Sequence, residues 1–215
     1  MIDIKYAGKV CHFDDEGVDP ESPGTMYGPL LKGKFYEHAF LHYIASLQIP
    51  GTYVDVGACI GTHTVFFAVH CPADRVYAFE PRSAAMKRLQ RNLELNNVQS
   101  RVTTSHWALS DREGTVDVRL DRVNHTLHTR RLDTLVRGPV AVIKLDIEGM
   151  EAQALAGAQE MLRHHRPRVF AEAHTEEEMA RILSVLEPHG YQATGNVFNA
   201  SPTYEFIVPS PGGRP

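Results

Sequence analysis

The sequence predicts an α/β protein with a mostly parallel sheet and helices on both faces of that sheet. Short apolar segments that suit buried strands alternate along the chain with longer segments that have a helical pattern. Glycine turns or acidic residues follow several of the apolar segments. In an open α/β sheet such positions lie beyond the carboxyl ends of the strands, which is where ligands bind.

The elements are predicted in chain order from this alternation and from the turn residues between them. Residues 2–13 are expected to form a short strand pair, followed by a loop rich in glycine, proline and acidic residues. Residues 35–47 are expected to form a helix that ends before Pro50 and Gly51. The predicted strands of the main sheet are residues 52–57, 75–79, 101–108, 140–147 and 168–173. The predicted helices between them are residues 61–70, 83–96, 150–164 and 176–186.

Two further strand pairs complete the predicted fold. Residues 115–120 and 128–131 are expected to be short strands around a polar loop at 121–125. Residues 191–197 and 203–208 follow a Pro-His-Gly turn and predict an antiparallel hairpin at the C-terminal end of the sheet. This division predicts an N-terminal extension or lid (1–33), a main domain (34–209) and a flexible tail (210–215).

The segment of residues 54–61 predicts a turn that binds a nucleoside. Its apolar strand ends in a turn with Gly57 and Gly61, which remove side chains where the backbone must turn and a ligand must approach. Glu80 follows the next strand and can accept hydrogen bonds from both hydroxyls of a ribose. His63 opens the helix after the turn, and its side chain faces either this loop or solvent.

The residues of this turn favour S-adenosylmethionine over a dinucleotide. A dinucleotide site requires the pattern G-x-G-x-x-G, and here Cys59 stands at the second glycine position. Asp55 would repel a diphosphate but can hold a cation. S-adenosylmethionine has an ammonium group, a sulfonium group and a ribose but no phosphate, so an acidic residue at both strand ends suits it.

Five segments together resemble the FkbM family of S-adenosylmethionine-dependent methyltransferases. They are residues 55–58, 79–81, 108–111, 132–135 and 144–151, and the last of them, Lys-Leu-Asp-Ile-Glu-Gly-Met-Glu, is the most specific. The resemblance covers about residues 35–191. It implies a class I methyltransferase (Rossmann-like) fold with a seven-stranded sheet, and methyl transfer, often to a hydroxyl of a natural product, sugar or lipid.

The resemblance also implies contacts to the cofactor. Family members have an acidic residue near the methionine end of the cofactor, and Glu37 stands at that position here. The sequence departs from the family at Cys59, where members often have asparagine. Trp107 and Ala108 end the predicted third strand, where an adenine ring would stack, although Trp107 also suits the core. The predicted cofactor-binding residues are Glu37, Asp55, Gly57, Ala58, Cys59, Gly61, Glu80, Pro81, Trp107, Ala108 and Asp146.

Four side chains are predicted to take part in catalysis: Asp146, Glu148, Glu172 and His174. The two-residue period of a strand places the first two on one side of one strand and the last two on one side of the next. A positioned base accelerates reaction of a hydroxyl by about 10²–10⁴-fold, and His174 is the better base near neutral pH. Structural roles stay open, with Asp146 capping the next helix and Glu172 pairing with Lys144 or an arginine.

Metal binding is an alternative use of the same groups. The carboxylates and His174 would suit Mg²⁺ or Mn²⁺, which would acidify a bound hydroxyl. No metal is assigned, because carboxylates are needed here for other reasons. His125 and His128, in the predicted polar loop, either contact substrate or face solvent.

Composition restricts the partners. A chain of 215 residues with 43% hydrophobic residues can bury a sizeable core. The formal charge of −4 gives no general attraction for nucleic acid, and Arg82, Lys87, Arg88 and Arg91 are expected on a solvated helix face. No apolar stretch is long enough to span a membrane, and residues 1–10 lack a signal-peptide pattern. Three cysteines without a C-x-x-C pair indicate reduced thiols and a cytoplasmic location.

The sequence therefore predicts an S-adenosylmethionine-dependent methyltransferase that acts on a hydroxyl of a small natural product, sugar or lipid. A homodimer is compatible with this prediction. The alternatives are N- or C-methylation of a small metabolite, and a module that binds S-adenosylmethionine without catalysis. The presence of Asp146 and His174 argues against the non-catalytic module.

Overall fold

The structure of the protein, a computed structural model, describes residues 1–21, 24–120 and 123–209. Within these residues the strands are β1 (Ile2–Tyr6), β2 (Lys9–Phe13), β3 (Gly51–Val56), β4 (Ala73–Phe79), β5 (Val102–Ser105), β6 (Ala108–Leu109), β7 (Gly114–Leu120), β8 (Val123–Arg130), β9 (Val140–Leu145), β10 (Arg168–Glu172), β11 (Gln192–Phe198) and β12 (Thr203–Ile207). The helices are α1 (Gly24–Leu31), α2 (His38–Ser46), α3 (Thr62–His70), α4 (Ser83–Leu95), α5 (Leu132–Leu135), α6 (Glu151–Ala156), α7 (Gln159–His164) and α8 (Glu176–Leu186). The predicted tail, residues 210–215, lies outside the described residues.

A seven-stranded sheet within the described residues has the strand order β11-β12-β10-β9-β3-β4-β5. The strands β5, β4, β3, β9 and β10 pair in parallel, and β12 pairs antiparallel with both β10 and β11. The predicted class I methyltransferase fold and its C-terminal hairpin are therefore confirmed. Because β3, β4, β9 and β10 run in the same direction, their carboxyl ends lie along one edge of the sheet.

The central strands are buried on both faces, which explains why their sequences are continuous apolar segments. Along β3, Tyr53 packs into the core on one face of the sheet and Val54 packs into the core on the other. Val142 and Ile143 of β9 alternate in the same way. Fully burying a valine or isoleucine side chain stabilises a fold by about 1.5–3 kcal/mol, so these strands form a firm support for the residues at their ends.

The N-terminal segment contains the predicted strand pair and also a helix that the sequence does not predict. The strands β1 and β2 pair antiparallel. The expected loop before residue 34 contains α1 instead, because Tyr27 and Leu30 are buried against the core. Nη1 of Arg88 donates a hydrogen bond of 2.8 Å to the hydroxyl of Tyr27, which holds α1 against α4.

Two predicted features between residues 101 and 130 are wrong. The expected strand at 101–108 is divided into β5, in the main sheet, and β6, which pairs with β8 in a separate small sheet. The expected loop at 121–125 is part of a β7–β8 hairpin, although residues 121–122 lie outside the described part of the chain. The strand register pairs Val116 with Leu127 and Val118 with His125 on one face. In the sequence these residues alternate with polar residues of the other face, so the segment does not stand out as an apolar strand.

Two predicted helices also differ from the structure. The helix expected from residue 35 begins at His38, because Glu37 has a left-handed backbone with φ of 54°. The helix expected at 150–164 is divided into α6 and α7. The carboxylate of Asp133 accepts hydrogen bonds of 3.1 Å from the backbone N–H groups of Glu160 and Met161, and so caps a new helix start.

The turn after β3 is expected to tolerate no side chain at position 57. Gly57 has φ of +77°, and a Cβ atom there would lie 1.9 Å from the backbone oxygen of Asp146. Gly8 has φ of +78°, and no described atom lies within 4 Å of the equivalent Cβ position. We expect Gly8→Ala to lower the free energy of unfolding by about 1 kcal/mol. Gly57→Ala should lower it by about 2–4 kcal/mol, because the backbone must also move.

Urea denaturation of both variants measures this difference. Gly8→Ala is the matched control, since it introduces the same methyl group at nearly the same φ but without the close approach. Equal losses of stability in the two variants would contradict the packing argument.

Candidate active site

A cavity of about 460 Å³ opens along the carboxyl ends of the parallel strands. Its walls include Gly57 after β3, Glu80 after β4, Asp146 after β9 and Glu172 at the end of β10. This volume lies within the range of about 300–1,000 Å³ that is typical of small-molecule sites. Residues from four different strand ends therefore meet in one cavity, as expected for an open α/β sheet.

The glycine turn forms one wall of the cavity. The N–H groups of Gly57 and Ala58 both donate hydrogen bonds of 3.0 Å to the carbonyl oxygen of Phe79. Gly61 precedes α3 with φ of +87°, and a Cβ atom there would lie 2.4 Å from Cδ1 of Leu89. The turn can therefore pack against Asp146 after β9 and against α4 only because positions 57 and 61 have no side chain.

Glu80 is buried in the wall of the cavity, with 2% of its surface exposed. Its Oε2 accepts a hydrogen bond of 3.0 Å from the N–H of Cys59. Its Oε1 accepts hydrogen bonds from the backbone N–H and from Nε of Arg82, both 2.9 Å long. The prediction that Arg82 lies on a solvated helix face is therefore wrong, because Arg82 lines the cavity and pairs with Glu80.

A second wall is aromatic and apolar. It consists of Trp107, Ala108 and Leu109 together with Val118 and Leu127 of the β7–β8 hairpin. The guanidinium carbon of Arg130 lies 4.5 Å from the centroid of the Trp107 ring, which is a cation–π interaction. This contact holds the indole at the cavity, so Trp107 is not a core residue.

A buried lysine joins β3 to β9 behind the cavity wall. Nζ of Lys144 lies 3.2 Å from Oδ1 of Asp55 and 3.7 Å from Oδ2 of Asp146, and it donates a hydrogen bond of 3.1 Å to the carbonyl oxygen of Gly57. Burial by itself lowers the pKa of Lys144. The charges of Asp55, Asp146 and Glu37 outweigh burial and raise this pKa, so Lys144 is a buried cation.

Asp146, Glu148, Glu172 and His174 line another part of the cavity. Nε2 of His174 lies 3.1 Å from Oε2 of Glu172, with side-chain exposures of 43% and 7% respectively. Burial raises the pKa of Glu172 to about 8, and the charge of Asp146 and its hydrogen bond to Glu172 add to this effect. This group can therefore exchange a proton near neutral pH, which is typical of a catalytic site.

Glu37 and His63 form a buried pair beside Tyr36. Oε2 of Glu37 lies 3.4 Å from Nε2 of His63, and both side chains are largely buried. Burial raises the pKa of Glu37 to about 7 and lowers the pKa of His63 to about 4. His63 is therefore neutral at pH 7 and faces the protein interior, which excludes the solvent-facing alternative.

Most of the predicted site residues meet at the cavity. The residues that line it are Gly57, Cys59, Glu80, Pro81, Trp107, Ala108, Asp146, Glu148, Glu172 and His174. Four other predicted residues are not among the lining residues: Glu37, Asp55, Ala58 and Gly61. Contacts of all these residues with a ligand stay predictions.

Several residues of the site are not identified by the sequence reasoning. Met26, Tyr36 and Ser201 line the cavity, and they come from distant parts of the chain. The adjacency of Tyr36 to the predicted Glu37 is a signal that could have indicated it. No local pattern indicates Ser201, because the turn between β11 and β12 reaches the cavity only in the folded sheet.

Residues 1–21, 24–120 and 123–209 contain neither a cluster of metal-binding side chains nor a membrane-spanning helix. No group of three or more histidine, cysteine, aspartate or glutamate side chains there is arranged to hold a metal ion. No helix there is long and apolar enough to cross a membrane. Carboxylates of the site instead pair with Arg82, Lys144 and His174.

The strand order of the sheet and the position of this cavity are those of the class I methyltransferase fold. A family model described as the methyltransferase FkbM domain matches residues 55–193. The chain therefore belongs to the FkbM methyltransferase family. The resemblance seen in the sequence is confirmed.

Three known proteins show the extent of the similarity. A tRNA wybutosine-synthesizing protein 2 homolog from Danio rerio is 40% identical over 82 residues, which are 38% of this chain and 20% of that protein. An FkbM methyltransferase from Methylobacillus flagellatus KT has a TM-score of 0.58 and 22% identity over 79% of this chain and 51% of that chain. A proposed methyltransferase from Streptococcus mutans, solved with S-adenosylhomocysteine, has a TM-score of 0.53 and 12% identity over 79% of this chain and 94% of that chain. The chain thus spans only part of the first two proteins, and the structural similarities show the fold.

Glu172→Gln is expected to stabilise the protein at alkaline pH. Because the folded-state pKa of Glu172 is raised from 4.5 to about 8, the folded state favours the protonated carboxyl group. The stability that this preference provides is complete below pH 4.5 and is lost as the pH rises through about 8. Glutamine keeps the shape and stays neutral, so we expect Tm at pH 9 to rise by about 2–4 °C, or ~1 kcal/mol for a protein of this size.

Thermal denaturation at pH 5 and pH 9 measures the effect. Glu21→Gln makes the same change at an exposed position and should leave Tm unchanged at both pH values. A Glu172→Gln variant with no gain in Tm between pH 5 and pH 9 would show that the carboxyl group ionises freely in the folded protein.

Proposed function

We propose that the protein transfers a methyl group from S-adenosylmethionine to a hydroxyl group of a small molecule. The observation that supports this proposal most is that Glu172 and His174 line the same cavity as Glu80 and the glycine turn. A hydroxyl group is a weak nucleophile until it loses its proton, so a base close to the cofactor is what such an acceptor requires.

The cavity fits the cofactor because three different chemistries meet in it. The buried carboxylate of Glu80 can accept the ribose hydroxyls, and the wall formed by Trp107 and Ala108 suits an adenine ring. Asp146 and the neighbouring Glu37 suit the ammonium group. When bound, S-adenosylmethionine supplies an electrophilic methyl group on a sulfonium centre. In this proposal, Glu80 gives up its contacts with Arg82 when the cofactor binds and accepts hydrogen bonds from the ribose instead.

In the proposed reaction His174 accepts the proton of the acceptor hydroxyl. Its imidazole is half-exposed at the cavity, whereas Glu172 is buried beside it at 3.1 Å and stabilises the imidazolium that forms. Burial is the largest cause of the raised pKa of Glu172, and the charge of Asp146 raises it further. Glu148 has a left-handed backbone with φ of 57° at the edge of the cavity, and we assign it to acceptor contact.

A small molecule is the acceptor that the charges favour. The formal charge of −4 and the carboxylates at the cavity oppose the binding of a phosphate backbone. We also propose that α1, which brings Met26 to the cavity, acts as the lid expected within residues 1–33. Mass-spectrometric localisation of the transferred methyl group separates O-methylation from N- or C-methylation, and salt-dependent binding of RNA would indicate a nucleic-acid acceptor instead.

Glu80→Ala is expected to weaken cofactor binding. Loss of the carboxylate leaves the ribose hydroxyls without their acceptor, which costs about 1–3 kcal/mol, or roughly a five- to 150-fold rise in Kd. Calorimetric titration with S-adenosylhomocysteine measures this change. Glu94→Ala on the exposed face of α4 is the control and should leave Kd unchanged. An unchanged Kd in Glu80→Ala would remove Glu80 from the ribose site.

His174→Ala is expected to lower kcat by about 10²–10⁴-fold. The Kd for S-adenosylmethionine should change by less than about threefold, because the base acts on the acceptor in the transition state. Transfer of a radiolabelled methyl group to an acceptor found by screening hydroxyl-bearing small molecules measures kcat. His164→Ala, on the exposed face of α7, is the matched control.

The same assay tests the role of the carboxylates through pH. We expect kcat to rise with pH around 8 as Glu172 loses its proton, and to rise at a lower pH in Asp146→Asn, because the charge of Asp146 raises the pKa of Glu172. Near-normal kcat in His174→Ala combined with an inactive Asp146→Asn would assign the base to the carboxylate instead.

A further inference from the structure

His63 is a buried titratable residue that has no role in the proposed methyl transfer. Its side chain is 5% exposed, and its Nε2 lies 3.4 Å from Oε2 of Glu37. Within the described residues Nε2 is buried without a hydrogen-bond partner, and the carboxyl group of Glu37 lies close enough to donate to it if that group carries a proton. A carboxyl group donates a hydrogen bond only when it is protonated.

Charged and polar groups on each neighbouring element act on Glu37. Burial is the largest effect and raises the pKa of Glu37 to about 7. Lys144 of β9 and the hydroxyl of Tyr36 favour the carboxylate, whereas Asp146 after β9 and Asp55 of β3 favour the protonated form. Glu37 therefore holds a proton in a large fraction of the molecules near neutral pH.

We propose that Glu37 holds a proton in a hydrogen bond to Nε2 of His63, and that this proton leaves when the ammonium group of S-adenosylmethionine binds beside Glu37. The inference rests on the proposed cofactor site, in which Glu37 lies near the methionine end. The O–H bond of Glu37 breaks, the proton passes to the buffer, and the carboxylate pairs with the ammonium group. His63 is then a positioning residue that holds the side chain of Glu37 in the free protein.

Calorimetric titration in buffers of different ionisation enthalpy measures the number of protons released. The ligand is S-adenosylhomocysteine, because it has the ammonium group but lacks the sulfonium charge that would act on Glu172. We expect the wild-type protein to release a substantial fraction of a proton for each ligand bound, and to release more at pH 6 than at pH 7, because the pKa of Glu37 is raised to about 7. The amino group of the ligand has a pKa of about 7.7–8.0 and is mostly protonated at both pH values.

Three controls assign the proton to Glu37. Glu37→Gln should release less than about 0.2 proton, and Glu172→Gln should release as many protons as the wild type. Methylthioadenosine, which lacks the ammonium group, should bind to the wild type without releasing a proton. Unchanged release in Glu37→Gln, or binding to the wild type without release, would overturn the proposal. Failure of S-adenosylhomocysteine to bind at all would overturn the proposed cofactor site as well.

A spectroscopic measurement on the wild type makes the test independent of whether Glu37→Gln folds. The ¹⁵N chemical shift of Nε2 of His63 at pH 6 should move, on addition of S-adenosylhomocysteine, towards the value of an imidazole nitrogen that accepts no hydrogen bond. Methylthioadenosine should leave the shift unchanged. An Nε2 signal that does not respond to S-adenosylhomocysteine would overturn the proposal.

Discussion

The buried positive charge of Lys144 is the interaction on which the geometry of the site depends. The parallel pairing of β3 with β9 places Lys144 directly opposite Asp55. Its Nζ contacts Asp55, Asp146 and the carbonyl oxygen of Gly57, so a single group joins the glycine turn to the residues after β9. Without this charge, two carboxylates and a carbonyl oxygen would face one another in a poorly solvated space, at a cost of several kcal/mol. Lys144 therefore fixes the glycine turn relative to the end of β9 at this wall of the cavity.

The order of the main strands and the acids at their ends could be predicted from sequence, because both depend on local patterns. Strands buried on both faces are apolar along their whole length, as in β3 and β9, and Glu80 and Asp146 follow directly after strands. The β7–β8 hairpin could not be predicted in the same way. Its apolar residues are short and lie between polar ones, so Val118 and Leu127 join the cavity wall only through the strand pairing. Likewise, the contact between Glu37 and His63 joins the residue before α2 to a residue of α3, and no sequence period relates the two.

The protein uses different means to neutralise the carboxyl groups around the cavity. Glu80 is compensated by Arg82 and by the backbone N–H of Cys59, whereas Asp55 shares the charge of Lys144. Among the described residues, Glu37 and Glu172 are each close to a histidine rather than paired with a lysine or arginine. Burial is the largest effect on both and raises their pKa values towards neutrality, although the charge of Lys144 partly opposes it at Glu37. The first two carboxylates are thus paired with cations, whereas the pKa values of the other two lie near neutrality.

This difference has a consequence for how the site responds to its cofactor. Among the side chains that the structure describes, Lys144 is the only lysine or arginine that is buried. Its charge is already paired with Asp55 and Asp146. The free site therefore has more acidic groups than cations and balances them by keeping protons on Glu37 and Glu172. A ligand with an ammonium and a sulfonium group supplies positive charge beside these acids. Loss of the protons from Glu37 and Glu172 would then become more favourable. In the proposed cofactor site, this excess of acidic groups, which alone would destabilise the fold, would favour a cationic cofactor over neutral nucleosides of similar shape.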